Sequence, residues 1–136
     1  MLPYVLKVKK RTVLIVDNSS NVRRLVINLL SPIKNIEVVG EAGTVMQAIE
    51  MFEKTNPDVV ILDLHYPEGG GFDVLDHIKI HRPGTMVIVL TNYPLLPYRK
   101  RCIEAGAEYF FDKSMEFDKI AEVINEPTSS KERQDI

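Results

Sequence analysis

Four short apolar runs in this chain each end on a side chain able to do chemistry. VLIV (13–16) precedes Asp17 and Asn18, VVIL (59–62) precedes Asp63, VIVL (87–90) precedes Thr91, and YFF (109–111) precedes Asp112 and Lys113. Runs of this length, rich in Val and Ile and bounded by Gly, Pro and Asn, predict strands buried on both faces. Longer amphipathic segments separate them, the pattern of a parallel βαβ sheet of the α/β class. Ligands of such sheets bind outside the carboxyl ends of the strands. Two carboxylates, a carboxamide, a hydroxyl and an ammonium are therefore expected to converge on one spot.

The spacing predicts strands at 12–17, 36–41, 58–63, 85–90 and 108–111. Asn18, Ser19 and Ser20 are capping residues for a helix to Leu30, whose stripe is Val22, Leu25, Val26, Leu29 and Leu30. Gly43-Thr44 opens a second helix with Val45, Ala48, Ile49 and Phe52 inward. A loop at 65–71, with one Pro and three consecutive Gly, leads to a third helix ending near Ile80, with Phe72, Leu75 and Ile78 inward. The two prolines of 92–97 predict an irregular segment, followed by a short helix to Ala105 that Gly106 ends. A last helix at 117–125 has Ile120, Ala121 and Ile124 as its stripe. Residues 1–10 read as a lead-in, 11–126 as one domain, and 127–136 as a polar, disordered tail. There is no internal repeat.

A chain of 136 residues is expected to form one domain and to bury about two-thirds of its unfolded surface. A net charge of −2 carries no basic bias towards nucleic acid. The single cysteine allows no intramolecular disulfide and suits a reducing compartment. The first ten residues lack the apolar core of a signal peptide, and no run approaches a membrane span of about 18 residues. Together these give a cytoplasmic expectation, with no membrane and no nucleic-acid partner.

Strands one and three can lie side by side under the right-handed crossover rule, which brings Asp17 to Asp63. Clustered oxygens suit a hard divalent cation, and Mg²⁺ takes one or two carboxylates, keeps several waters and binds phosphate oxygens. Lys113 can neutralise a phosphoryl oxygen and Thr91 can donate to another. A carboxylate in that company is a candidate nucleophile towards phosphorus.

At this point VLIVDNS, LDLHYPEGGG, VLTN and GAEYFFDKS, in that order, resemble the receiver domain of two-component response regulators over about 11–126. Pro67 and Gly71 stand four and eight positions after Asp63, as in that family. The resemblance implies a doubly wound, flavodoxin-like fold: five parallel strands in the order 2-1-3-4-5, with helices on both faces. It implies Asp63 as phosphoacceptor for a histidine kinase or phosphotransfer protein, with Mg²⁺ held by Asp17, Asn18, Asp63 and the backbone carbonyl of His65. Thr91 and Phe110 match the family's switch pair, the hydroxyl moving to the phosphate while the ring turns inward. The surface of the fourth helix, fifth strand and fifth helix then signals to a downstream protein or a second copy. Such a domain is regulatory rather than an enzyme.

Asn18 departs from the family, which usually has a second aspartate there. An amide still coordinates Mg²⁺ but brings no charge, and the loss weakens metal binding by about 1–3 kcal/mol. A receiver-like adaptor independent of phosphorylation is the alternative reading. An aspartate-nucleophile phosphohydrolase of the haloacid dehalogenase type needs a second aspartate two residues after the nucleophile on strand one, where this chain has Ser19. Other features have plainer readings. His65 is expected to face solvent and tune water access to the phosphate. Asp73, His77 and His81 have the spacing of a metal comb but read as a solvated helix face, as do Arg99, Lys100 and Arg101. Cys102 shares a stripe with Tyr98 and Ala105 and reads as buried.

Overall fold

The computed structural model describes residues 9–127. Most of the lead-in and of the tail lies outside the described residues. Strands β1 (Arg11–Val16), β2 (Ile36–Ala42), β3 (Val59–Leu62), β4 (Met86–Thr91) and β5 (Tyr109–Asp112) pair in parallel in the order 2-1-3-4-5. Helices α1 (Ser20–Leu30), α2 (Val45–Thr55), α3 (Gly71–His81), α4 (Leu96–Glu104) and α5 (Lys119–Val123) make the crossovers. The fold is the five-stranded α/β receiver fold that the sequence resemblance implied, and each strand falls within one residue of its expected bounds. No helix among the described residues is long and apolar enough to cross a membrane.

Alternation along the strands builds two cores. Leu14, Val16, Val60, Leu62, Val87, Val89 and Phe110 face Phe52, Leu75, Ile78 and Cys102 on one side of the sheet. Val13, Ile15, Val59, Ile61, Ile88, Leu90 and Phe111 face Val26, Leu30, Ile120 and Ile124 on the other. All six residues of β4 are buried, which is why its sequence is a continuous apolar run. Each such side chain contributes roughly 1.5–3 kcal/mol on leaving water, more than any strand or helix propensity along this chain.

Register brings the chemistry-bearing ends together. Val16 is paired with Leu62, Leu62 with Val89, and Thr91 with Asp112, so Asp17, Asp63, Thr91 and Lys113 emerge at one edge. Ser19 and Thr44 cap α1 and α2, accepting the amides of Val22 and Gln47. At the entry to α3, a Cβ on Gly71 would stand 1.9 Å from the Leu64 carbonyl oxygen, so only glycine fits.

The helices correct the sequence reading in four places. Leu25 is 55% exposed, because the buried stripe of α1 centres between Val26 and Leu30 and takes in Ile27 on its flank. On α3 the fully buried residue beside Leu75 and Ile78 is Val74, while Phe72 is half-buried. The expected irregular segment at 92–97 gives up Leu96 and Pro97 to α4, since a proline in the first turn loses no helical hydrogen bond. α5 is five residues long rather than nine, and Ala121 on it is half-buried.

Candidate functional site

The strand ends set the backbone of the site before any side chain is considered. The Asp17 amide donates to Ala42 O at 3.0 Å, that of Asp63 to Val16 O at 2.9 Å, and that of Lys113 to Thr91 O at 2.9 Å. Each functional residue is thus the last one stitched to its neighbouring strand. Asp17, Asp63 and Thr91 are all buried.

Lys113 joins the two acids. Its Nζ lies 2.7 Å from Asp17 Oδ2 and 3.1 Å from Asp63 Oδ2, with a tenth of the side chain exposed. The other oxygens are engaged by main chain: Asp17 Oδ1 accepts the Ser19 amide at 2.8 Å and Asp63 Oδ1 the His65 amide at 3.2 Å. Burial still pushes the Asp17 carboxyl above the ordinary 3.8, against the pull of Lys113 and the Ser19 N–H. Desolvation outweighs pairing here because one ammonium is shared between two carboxylates.

Asn18 sits at the mouth, exposed, and its Nδ2 donates to Gly43 O at 3.4 Å. Its amide nitrogen therefore ties the loop after β1 to the loop after β2. Arg23 braces the same place, donating from Nη1 to the Asp17 carbonyl and from Nε to Glu41 Oε1 at 2.9 Å. Tyr66, three residues past Asp63, has a buried hydroxyl with no hydrogen-bond partner, and burial together with Asp63 and Asp17 holds its proton on. Buried hydroxyls are ordinarily satisfied, so this one marks room for a water or another polar group.

Among the described residues no group of three or more His, Cys, Asp or Glu side chains could hold a metal. Two carboxylates with an amide and a backbone carbonyl nonetheless fit an ion that takes few carboxylates and keeps its waters. The Tyr66 hydroxyl is a buried polar atom in the surroundings of both acids.

Thr91 Oγ1 accepts the Tyr93 amide at 3.0 Å. His65 does not face open solvent: it is half-buried, edge-on to Tyr93 at 4.2 Å and to Tyr98 at 5.7 Å between ring centroids. Phe110 is only 4% exposed, so its ring already lies inward, among Val87, Val89 and Cys102. Tyr66, Tyr93 and Tyr98 were not singled out as site residues by the sequence. Tyr93 and Tyr98 flank the proline-rich stretch, where no periodicity assigns a face, and the one available signal was their distance of two and seven residues from Thr91.

The comb-like histidines are otherwise occupied. His77 Nε2 pairs with Glu53 Oε1 at 2.9 Å, His81 stacks on His77 at 4.0 Å, and Asp73 is exposed. Cys102 is fully buried, and burial pushes its thiol up to about 11.

The model of the response regulator receiver domain matches residues 13–125. A protein-glutamate methylesterase/protein-glutamine glutaminase of Rhizobium etli is 39% identical over 79 residues, which are 58% of this chain and 23% of that protein. The DNA-binding transcriptional activator DevR/DosR of Mycobacterium tuberculosis is 30% identical over 114 residues, 84% of this chain and 52% of that protein. The chain thus spans about half, or less, of the length of these curated relatives. Among solved structures, the response regulator domain of Thermotoga maritima CheB superposes with a TM-score of 0.75 at 26% identity, covering 93% of this chain and 96% of that one.

Proposed function

The chain belongs to the family of response regulator receiver domains of two-component systems, and from that premise we propose that it accepts a phosphoryl group on Asp63. The observation that carries this reading is one buried ammonium, Lys113 Nζ, at 2.7 and 3.1 Å from two carboxylates at the carboxyl edge of a parallel sheet. The receiver unit is 11–126.

In the reaction, an Asp63 carboxylate oxygen attacks the phosphorus of a donor's phosphohistidine. The O–P bond forms as the P–N bond breaks, and the imidazole leaves with the electron pair. Lys113 turns from the carboxylates to the phosphoryl oxygens and neutralises one, and Thr91 donates its hydroxyl to another. The His65 amide keeps the remaining carboxylate oxygen in place. Asp17, Asn18, Asp63 and the His65 carbonyl are the groups that would hold Mg²⁺, which when bound offsets negative charge on the phosphoryl oxygens. The chain changes only its own phosphorylation state, so its role is regulatory. It works in the cytoplasm with a histidine kinase or phosphotransfer protein, and signals from the surface of α4, β5 and α5 to a downstream protein or a second copy, without nucleic acid or membrane. The family's pattern pairs Thr91 with Phe110 as its switch, and in this chain the Phe110 ring is already packed inward.

The uncharged Asn18, where the family usually has a second aspartate, favours a second reading, an adaptor that docks without phosphate. One experiment separates the two: incubation with acetyl phosphate across a range of Mg²⁺ concentrations, read by intact mass. A phosphoryl adduct that Asp63→Asn abolishes supports the first reading. No adduct at any Mg²⁺ concentration overturns it in favour of the second.

A further inference from the structure

The residues around Thr91 form a connection that the phosphoacceptor chemistry does not use. Tyr93 is bound to Thr91 Oγ1 through its main chain, and its ring meets His65 edge-on at 4.2 Å. The other neighbour of His65 is Tyr98, on the first turns of α4, at 5.7 Å. Tyr98 in turn stacks on Phe72 at the start of α3, 6.3 Å away at 29°, and the Arg101 guanidinium covers Phe72 at 3.7 Å. The rings thus bracket α4 against both ends of the loop that follows Asp63.

Two further facts give the bracket weight. α4 has a single fully buried residue, Cys102, so little else fixes its tilt. Phe110 is buried with Val87, Val89 and Cys102, outside this set of rings. A hydroxyl that donates to a phosphoryl oxygen keeps its lone pairs, so Thr91 can move to the acceptor without releasing the Tyr93 amide. The Tyr93 main chain follows it, and the ring follows the main chain.

We propose that in this chain the acceptor end of the sheet moves α4 through the rings of Tyr93, His65, Tyr98 and Phe72, with Tyr98 as the positioning residue and Phe110 as static core. The proposal rests on the phosphoacceptor reading for what sets it in motion, but the bracket itself is a set of contacts in the structure. Coupling of this kind is reciprocal, so α4 also sets the order of the acceptor loop.

Hydrogen–deuterium exchange on the full chain tests both directions, with Mg²⁺ and beryllofluoride as the phosphoryl mimic. In the resting chain, Tyr98→Leu should raise exchange about three- to tenfold in the 64–71 loop as well as in α4, the scale of a lost aromatic pair. Tyr98→Phe should restore it, and Phe110→Leu should leave the loop unchanged. With the mimic, wild type should change its exchange in α4 and Tyr98→Leu should not. A Tyr98→Leu effect confined to α4, or a response of α4 lost in Phe110→Leu and kept in Tyr98→Leu, overturns the proposal. A wild-type chain that binds no mimic overturns the phosphoacceptor reading instead, and the resting-state comparison still decides the bracket.

Discussion

At the scale of single residues, the charge on Asp17 is the most consequential. Its carboxyl holds a proton more tightly in the folded chain than in the unfolded one. The cost of ionising it is absent below the ordinary value of 3.8 and grows as pH rises through the raised folded value. Asp17→Asn, which leaves Lys113 paired with Asp63, should therefore be more stable than wild type at pH 7 without metal, by about 1 kcal/mol or more. Thermal melts in chelator at several pH values check this: the gap should close as pH falls towards 3.8, and a destabilised variant at pH 7 would refute it. Asn18 is the complementary case. Asn18→Asp should tighten Mg²⁺ binding by about 1–3 kcal/mol, read by calorimetric titration, and speed acetyl-phosphate labelling of Asp63. Asp17, Asp63, Thr91 and Lys113 were legible in the sequence because each ends a buried strand, and a strand end points to one place. Asn18's bond to Gly43 was not, because it depends on how two loops meet. The inward packing of Phe110 was not either, because it depends on how β5 meets the helices of that face.

Among the elements, the strands were read within a residue, since burial on both faces leaves an uninterrupted apolar signature. The helices were read less well wherever one turn offered two apolar candidates. Leu25 and Ile27 lie on opposite flanks of the Val26–Leu30 line, and packing against the sheet, not local sequence, chose Ile27. The α3 junction gives a sharp test. Gly71→Ala drives a methyl into the Leu64 carbonyl, and the loop after Asp63 must shift to admit it. It should cost about 3 kcal/mol or more in chemical denaturation, at the severe end for a single substitution. Ala at the neighbouring Gly69, whose added Cβ meets nothing within 4 Å, is limited to the smaller cost of its positive φ of 77°. The half-buried pair of Lys79 with Glu108 plays a similar part at the far end of α3. Lys79 Nζ reaches both Glu108 oxygens at 2.9 Å and Thr85 O at 2.6 Å. Glu108→Ala leaves that ammonium with carbonyl acceptors alone and should cost about 1–3 kcal/mol, measured the same way.

For the whole molecule, the sheet has two ends with different duties. Acceptor chemistry occupies the carboxyl edge. The opposite edge is where the described chain begins and finishes: Arg11, the first residue of β1, donates from Nη1 to Ile124 O at 3.1 Å and to Glu126 O at 2.7 Å beyond α5. Arg11→Ala should free the end of α5 and lower the melting temperature by about 4–8 °C, the shift expected for a loss of about 1 kcal/mol in a small domain. Circular dichroism would show it, with faster amide exchange confined to α5 and the start of β1. The clasp also fixes a geometry of approach. The described chain enters and leaves at the far side, about 20 Å of strand away from Asp63. A signal that starts at Asp63 and is read at that edge runs down the flank of the sheet, like a bell-pull from door to kitchen, and α4 is the flank that the ring bracket grips.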